Sequence, residues 1–475
     1  MQVAIWTKVC YISYMIRVCL IFFLLLSFFG FSQQTDYVDF KEAKVEISIN
    51  SKEKQVEGHI QYTFEILKDV DSIYLDAQSI KLDSMQLLEV RPHIHTEYIG
   101  IRYQNNSKQI IVYNNFKREQ IFELHMNYSA LPKKALYFIE NDEGNQIWTQ
   151  GQGKYTSNWL PSIDDMNDKI EFDLSITYDK DYEIVANGKL TDKKTNEFTT
   201  TWRYDMEKPM SSYLVALTIG KYNKKVENSK SGIPLEMYYY PEDSLKFEPT
   251  YRYTKRVFDF LEEEIGVSYP WQNYKMVPVK DFLYAGMENT SLNVYSDAFV
   301  VDSIAFVDKN FVNINAHELA HQWFGDLVTE TSGTHHWLQE GFATYYALLA
   351  EKDIFGEDYY YWRLYEYAQE LLEQDKAGQS TSLLDPKSSS TTFYKKGAWV
   401  LHMLREKVGD EAFKEAVKNY LLKHQYKNVE TDDFISEVEK ASGQDLGDFF
   451  DEYLISNNDI FLKRKAKELK YMLID

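Results

Sequence analysis

The spacing of apolar residues changes near residue 222, and this change constrains the fold more than any other feature of the sequence. From residue 36 to about 222, apolar and polar residues alternate, as at Val45, Ile47 and Ile49. Alternation with a period of two is typical of strands that bury one face. After a polar connector at 223–232, the apolar spacing becomes helical, first at 251–264 and then almost continuously from residue 308. The sequence therefore predicts an N-terminal antiparallel β-sandwich or saddle domain, followed by a mixed α/β domain that is mostly helical.

The C-terminal half of the chain predicts a series of separate helices. They lie near 308–327, 336–353, 357–375, 392–407, 410–423 and 431–441. We expect Thr431 to cap the start of the last helix and Gly443 to end it. Two short apolar runs, at 274–279 and 292–295, predict strands that precede these helices.

The first 32 residues differ from the rest of the chain. An apolar run at 18–31 follows Arg17 and precedes polar Gln33. A bilayer crossing takes about 20 apolar residues, so this shorter run predicts a signal peptide over residues 1–32, cleaved before Gln33. An uncleaved membrane anchor is the alternative. The mature chain is expected to have no membrane span, and the protein is expected to be exported, to the periplasm or the extracellular space.

Charge and cysteine content narrow the classes of function. The formal net charge is -21, which disfavours nucleic acid as a partner because binding it requires a basic face. The two cysteines, Cys10 and Cys19, both lie in the predicted leader. A metal site in the mature protein would therefore use His, Asp and Glu side chains.

The chemistry is expected around the H-E-x-x-H motif at 317–321. His317 and His321 share one helix face, so both imidazoles can reach one ion, and Glu318 lies beside that face. Alone, the motif also fits a surface helix with two solvated histidines, but the flanking residues are apolar. Glu340 follows after 18 residues, and two histidines with one carboxylate form the catalytic zinc arrangement. We therefore expect one Zn²⁺ per chain. Asp326 could orient a ligand imidazole or be an ordinary carboxylate at a helix end.

These motifs resemble those of the M1 family of gluzincin aminopeptidases, relatives of aminopeptidase N and leukotriene A4 hydrolase. Residues 285–289 (A-G-M-E-N) are similar to the family's G-x-M-E-N signature, with Ala285 in place of the first Gly. The resemblance implies a thermolysin-like catalytic domain. It also implies that Glu288 binds the α-amine of the substrate and that Met287 lines the pocket for the first side chain, with Ala285 and Gly286 in the same substrate-binding segment.

Two further segments extend the resemblance to most of the chain, from about residue 40 to 455. Residues 391–398 look like the family's Y-x-K-G segment, which implies that Tyr394 is a catalytic tyrosine. Residues 148–152 resemble a T-Q-x-[EQ] segment, which implies that Gln152 shares the substrate amine with Glu288.

The predicted organisation is a signal peptide at 1–32, a β domain at 33–225, a zinc peptidase domain at 226–460 and a short basic tail at 461–475. Family members commonly continue into a helical C-terminal domain, whereas this sequence stops at Asp475. It is expected to be a short form, either a natural two-domain member or a curtailed reading frame.

The function predicted from these features is a zinc-dependent aminopeptidase, with Glu318 as general base and Tyr394 stabilising the developing negative charge. Its expected substrates are peptides with a free N-terminus. The alternatives are a gluzincin endopeptidase, an epoxide hydrolase on the same fold, and a binding-only degenerate relative. His335 and His336 are interpreted as polar residues at the start of the helix that carries Glu340, with a substrate contact as the alternative.

Overall fold

The computed structural model describes residues 33–91, 97–140, 144–457 and 461–474. The predicted signal peptide, with both cysteines, lies outside the described residues. In the part of the chain that is described, no helix is both long enough and apolar enough to cross a bilayer.

The first part of the chain is built almost entirely of strands, as the alternating pattern predicts. Along β1, every second residue from Val45 to Ile49 is buried. The strands are β1 (Val38–Asn50), β2 (Gln55–Ile66), β3 (Val70–Asp76), β4 (Lys81–Val90), β5 (Glu97–Ile99), β6 (Arg102–Asn105), β7 (Gln109–Phe116), β8 (Ile121–Ala130), β9 (Leu136–Ile139), β10 (Gln146–Thr149), β11 (Lys169–Asp179), β12 (Glu183–Ala186), β13 (Lys189–Thr195), β14 (Thr199–Asp205), β15 (Met210–Ser211) and β16 (Leu217–Gly220).

These strands form three sheets. The largest has the order β13-β14-β11-β1-β2-β8-β4-β5, with β15 also paired to β11, and the smaller ones are β3-β7-β6 and β12-β16-β10-β9. The pairs are antiparallel except for β1 with β11, which run parallel with Val45 opposite Leu174. The sequence predicts an antiparallel domain, and among its described strands this one pair departs from that prediction. A long connection through β2 to β10 separates the two strands in sequence, and such a connection permits parallel pairing.

The second part of the chain combines one small sheet with a helical bundle. The sheet has the order β17-β18-β19-β21-β20. Its strands, and the later pair β22 and β23, are β17 (Asn223–Asn228), β18 (Pro234–Tyr239), β19 (Tyr274–Val279), β20 (Gly286–Met287), β21 (Leu292–Ser296), β22 (Val328–Glu330) and β23 (Lys427–Val429). The helices are α1 (Phe247–Tyr251), α2 (Thr254–Ile265), α3 (Val312–His321), α4 (Trp337–Phe355), α5 (Glu357–Lys376), α6 (Gly397–Val408), α7 (Asp410–His424), α8 (Thr431–Ser442), α9 (Gly447–Phe450) and α10 (Phe461–Ile474).

The predicted fold class is confirmed, and most predicted helices agree with the structure to within a few residues. The helix predicted at 308–327 is shorter and ends at His321, because the chain then turns and Gly325 adopts a φ of 137°. The cap of α8 is Glu430, which forms a capping box with Asp433, so the prediction of Thr431 as the cap is wrong. The five residues before α6, Thr392–Lys396, form a single π-helical turn.

The two parts of the chain share an apolar core at their boundary. Trp148 on β10 packs with Val277 and Val294 of the five-stranded sheet, and its indole Nε1 donates to the carbonyl of Lys280 at 3.1 Å. Lys169 of β11 is half-buried, and its Nζ donates to the carbonyl oxygen of Asp326 at 2.7 Å. These contacts fix β10 against the segment that follows β19, and β11 against the segment that follows α3.

Candidate functional site

The motif histidines lie in the last turns of helix α3 with both rings directed to one point. Their spacing of four residues places them on one helix face, and the Nε2 atoms of His317 and His321 are 3.1 Å apart. The side chain of His321 is 2% exposed and that of His317 is 12% exposed. The helix is therefore a buried one, and the alternative of two solvated histidines is excluded.

Glu340, in the first turn of α4, completes a triangle of ligand atoms. Its Oε2 lies 3.3 Å from the Nε2 of His317 and 3.3 Å from the Nε2 of His321. Ligands about 2.0–2.1 Å from a tetrahedral metal centre stand roughly 3.3 Å from one another. The three side chains therefore fit a divalent metal ion such as zinc, in both donor type and spacing.

A backbone carbonyl sets the tautomer of one histidine of the triangle. The Nδ1 of His321 donates to the carbonyl oxygen of Phe324 at 2.8 Å, in the turn that follows α3. With its proton on Nδ1, the ring presents the Nε2 lone pair to the triangle. The role that the sequence suggested for Asp326, orienting a ligand imidazole, is filled for His321 by this carbonyl.

The charges of the site are concentrated in buried carboxylates. Burial raises the pKa of Glu318 well above its usual value, and Glu288 and Glu340 add to this effect while His321 opposes it. For Glu340, the imidazoles of His321 and His317 outweigh burial and hold the pKa well below its ordinary value. Burial lowers the pKa of His317, which favours its neutral form. Several acids thus share one poorly solvated space with the two imidazoles.

Glu318 lies against the backbone of the A-G-M-E-N segment. A Cβ built on Gly286 would overlap the Oε1 of Glu318 and come within 2.8 Å of its carboxyl carbon. Glycine at this position therefore allows the strand β20 to pass directly over the carboxylate. The contact places the residue predicted as a general base at the wall of the site and not in the ligand triangle.

The same segment brings Met287 and Glu288 to the site. Met287 pairs with Val294 of β21, and Glu288 is 5% exposed. Burial raises the pKa of Glu288, with His321 opposing and Glu340 adding to the shift. From the β domain, the Nε2 of Gln150 donates to the Sδ of Met287 at 3.5 Å and to the Oε1 of Gln152 at 3.4 Å. The segment that follows β10 therefore contacts the A-G-M-E-N segment at residues 285–289.

Tyr394 lies in the π-helical turn before α6 and stacks on a histidine of the triangle. Its ring is 5.3 Å from that of His317, with 9° between the planes. Burial raises the pKa of Tyr394, and Glu340 and Glu318 raise it further. The hydroxyl therefore remains protonated at neutral pH and can donate a hydrogen bond.

All ten predicted site residues line one cavity of about 580 Å³. They are Gln152, Ala285, Gly286, Met287, Glu288, His317, Glu318, His321, Glu340 and Tyr394. The sequence reasoning missed eight other lining residues, namely Tyr284, Asn313, Ile314, Thr344, Tyr367, Ser390, Thr391 and Lys395. Most of these flank the motifs, so proximity to a motif residue could have identified them. Tyr367 comes from the middle of α5, far from any motif.

The two histidines before α4 have different surroundings. The Nδ1 of His335 lies 3.0 Å from the hydroxyl of Thr431, away from the triangle. The Nδ1 of His336 lies 3.1 and 3.0 Å from the two carboxylate oxygens of Glu330, and its Nε2 lies 3.6 Å from the Oε1 of Glu340. His336 is thus in contact with a member of the triangle.

Comparison with known proteins matches two domain models of one peptidase family to this chain. The Peptidase M1 N-terminal domain model matches residues 36–214, and the Peptidase family M1 domain model matches residues 250–453. The glutamyl aminopeptidase of Bos taurus is 30% identical over 309 residues, which are 62% of this chain and 32% of that protein. Probable aminopeptidase 1 of Sulfurisphaera tokodaii is 26% identical over 412 residues, 83% of this chain and 51% of that protein. The chain thus spans between about a third and a half of the length of these relatives.

Proposed function

The chain belongs to peptidase family M1, and on this premise we propose that it is a zinc-dependent aminopeptidase that removes the first residue from peptides with a free N-terminus. One observation carries the proposal: the triangle of His317, His321 and Glu340 lies in the same cavity as Glu318 and Glu288. A metal site, a base and a buried carboxylate that can accept an amine are the parts that such a reaction requires.

His317, His321 and Glu340 would hold the metal, and no thiol ligand is required. When bound, zinc supplies a Lewis acid that polarises the scissile carbonyl and lowers the pKa of a coordinated water to about 7. The other steps are carried by side chains of this chain.

Glu318 acts as the proton carrier. Its carboxylate takes a proton from the attacking water and passes it to the leaving amine. Burial keeps the carboxyl poorly solvated, so its proton affinity is higher than that of a free glutamate. A carboxylate with raised proton affinity is suited both to taking the proton from water and to passing it to the leaving amine.

Tyr394 stabilises the negative charge that develops on the carbonyl oxygen. Its raised pKa keeps the hydroxyl protonated, and stacking on His317 fixes the ring beside the triangle. A hydrogen-bond donor held in place before the reaction is the requirement for this role.

Glu288 restricts cleavage to the first peptide bond. A buried carboxylate pairs strongly with an α-ammonium group, and the side-chain oxygen of Gln152, which lines the same cavity, can accept a further hydrogen bond from it. An amine anchored at Glu288 would mark the N-terminal end of the substrate, with the bond to be cleaved toward the triangle. This disfavours the endopeptidase alternative, in which the chain would continue through the position of the amine.

We propose that the protein is exported, and this proposal rests only on the sequence of the N-terminal leader. Residues 1–32 would direct the chain out of the cytoplasm and be removed before Gln33. N-terminal sequencing of the protein recovered from the periplasm or the medium tests this. A sequence that begins at Gln33 supports cleavage, and an intact leader in the membrane fraction supports the anchor.

The catalytic proposal is tested with aminoacyl-naphthylamides, with and without a chelator. Glu318→Gln should lose turnover and retain one zinc per chain, since the triangle is intact. Glu263→Gln is the matched control, because that carboxylate is 80% exposed on α2. Full activity of Glu318→Gln would refute the assignment of the base. Cleavage of N-acetylated peptides at internal bonds would favour the endopeptidase, and stoichiometric zinc without any product would favour the binding-only relative.

A further inference from the structure

A chain of three side chains leads away from the triangle; its two glutamates are buried and the histidine between them is half-buried. It runs from Glu340 through the ring of His336 to Glu330, and the catalytic roles proposed above use only its first member. We propose that His336, held by Glu330, is a positioning residue that fixes the carboxylate of Glu340 and thereby strengthens metal binding. This inference rests on the proposed zinc site.

The ring of His336 has a carboxylate on each side. Its Nε2 lies 3.6 Å from the Oε1 of Glu340, one helical turn further along α4. Its Nδ1 lies 3.1 and 3.0 Å from the two oxygens of Glu330. Each ring nitrogen therefore faces a carboxylate, and the ring connects the ligand to a second acid.

Glu330 is a rigid support for this ring. It ends strand β22, where it is paired with Val429 of β23, and its carbonyl accepts from Asn428 Nδ2 at 3.2 Å. Its side chain is 4% exposed. A buried carboxylate requires a partner, and His336 is the partner that both of its oxygens contact.

The ring of His336 is also fixed from the side. It packs edge-on against Phe393, with 5.0 Å between the ring centres, and Phe393 immediately precedes Tyr394. His336 is therefore positioned by Glu330 on one side and by an aromatic ring on another.

The consequence concerns the two oxygens of Glu340. The terminal torsion of a glutamate is soft, so an unsupported carboxylate can present either oxygen, or both, to an ion. The contact of His336 with Oε1 leaves Oε2 opposite the Nε2 atoms of His317 and His321, both at 3.3 Å. His336 thus selects the oxygen that completes the triangle. Partners of this kind contribute about 10- to 100-fold to metal affinity.

The competing explanation is that the pair of Glu330 and His336 only stabilises the start of α4. The two explanations differ in what a substitution changes. A purely structural role predicts a lower Tm for the metal-free and the zinc-loaded protein alike, with unchanged zinc affinity. A positioning role predicts weaker zinc binding and a smaller rise of Tm on zinc addition.

The experiment measures the zinc dissociation constant of the full chain by competition with a chromogenic chelator. The variants are His336→Gln and Glu330→Gln, and the control is His335→Gln. His335 occupies the same turn and contacts Thr431 instead of Glu340, so its substitution disturbs the helix start without touching the triangle. We expect zinc binding about 10- to 100-fold weaker for His336→Gln and a smaller loss for Glu330→Gln. The control should remain within about twofold of the wild type.

The Co²⁺-substituted proteins provide a second measurement, which does not depend on turnover. The visible absorption of Co²⁺ reports its coordination, so a reoriented Glu340 should change the spectrum of His336→Gln and not that of the control. Wild-type zinc affinity and an unchanged Co²⁺ spectrum in both test variants would overturn the inference. A wild-type protein that binds no zinc would instead refute the proposed function itself. If His336→Gln does not fold, Glu330→Gln, which leaves the ring in place, decides the question.

Discussion

Substitution of Gly286 by alanine is expected to lower the rate of catalysis and to leave stability almost unchanged. The added methyl group would overlap the Oε1 of Glu318 and lie 2.7 Å from its Cγ and 2.8 Å from its carboxyl carbon. Ordinary van der Waals contact begins at about 3.4 Å. All three atoms belong to one flexible side chain, so Glu318 can move aside while the backbone stays in place.

The size of the effect follows from this displacement. The carboxyl carbon of Glu318 must move by at least about 0.6 Å to restore contact, and Oε1 must move further. A misplacement of about 1 Å in a catalytic group can cost roughly 100-fold in rate. We therefore expect kcat to fall by about 10- to 100-fold, equivalent to about 1.4–2.7 kcal/mol in the activation free energy. The Tm should change by less than about 2 °C, because no buried backbone or ring has to shift.

The assay is steady-state hydrolysis of an aminoacyl-naphthylamide, combined with zinc content and thermal unfolding. Gly100→Ala is the matched control, because a Cβ at Gly100 meets no atom within 4 Å. Gly286→Ala with wild-type kcat would refute the argument, since the base would then tolerate displacement or act from another position. A large loss of Tm together with kcat would also contradict it, because the cost would then lie in the backbone.

Three further outcomes are expected. Tyr394→Phe should lower kcat by about 100- to 1000-fold and leave KM little altered, because it removes one hydrogen-bond donor to the developing oxyanion. A rise in KM of the same size would indicate that Tyr394 acts in substrate binding instead. Glu288→Gln should lower kcat/KM for substrates with a free amine by about 10- to 100-fold, because it removes one hydrogen bond to a charged group. An unchanged kcat/KM would show that Glu288 does not bind the amine. The third concerns Lys169, whose burial lowers the pKa to about 7. Between pH 7 and 10.5 the lysine is protonated in the unfolded chain and neutral in the folded one. The free energy of unfolding therefore rises with pH in this range, by up to about 1.4 kcal/mol per pH unit. Denaturant unfolding at pH 7 and 9.5 should show a smaller rise for Lys169→Met, and an equal rise would contradict the assignment.

The triangle of His317, His321 and Glu340 was predictable because its geometry is largely local. His317 and His321 are spaced i and i+4 on one helix, and the first turn of the next helix supplies Glu340. The periodic patterns also predicted most helices and the alternating strands, because burial of one face imposes the period. Sequence-local rules were sufficient for these features.

Contacts between distant segments could not be predicted in this way. The acceptor for His321 is a backbone carbonyl, which has no side chain to signal it. The contact of His336 with Glu330 depends on how strand β22 meets the start of α4, and Tyr367 enters the cavity only because α5 packs against the bundle. The parallel pairing of β1 with β11 likewise depends on the path of the connection between them. Each of these features is decided by tertiary packing, which local patterns do not encode.

The glycines of the motifs show how residues far apart in sequence are brought to one site. Gly341 follows the ligand Glu340, and Gly397 opens α6 just after Tyr394. A Cβ on Gly397 would lie 2.7 Å from the Cα of Gly341, so the two helix backbones touch at this point and hold the Tyr394 turn against the ligand helix. Here the atom that is met is backbone, which cannot rotate away. Gly397→Ala should therefore destabilise the protein by about 1–3 kcal/mol and lower kcat as well, unlike Gly286→Ala, which should lower kcat alone. Denaturant unfolding and kinetics on the two variants test this contrast, and equal stability of both would show that the helix contact is not what positions Tyr394.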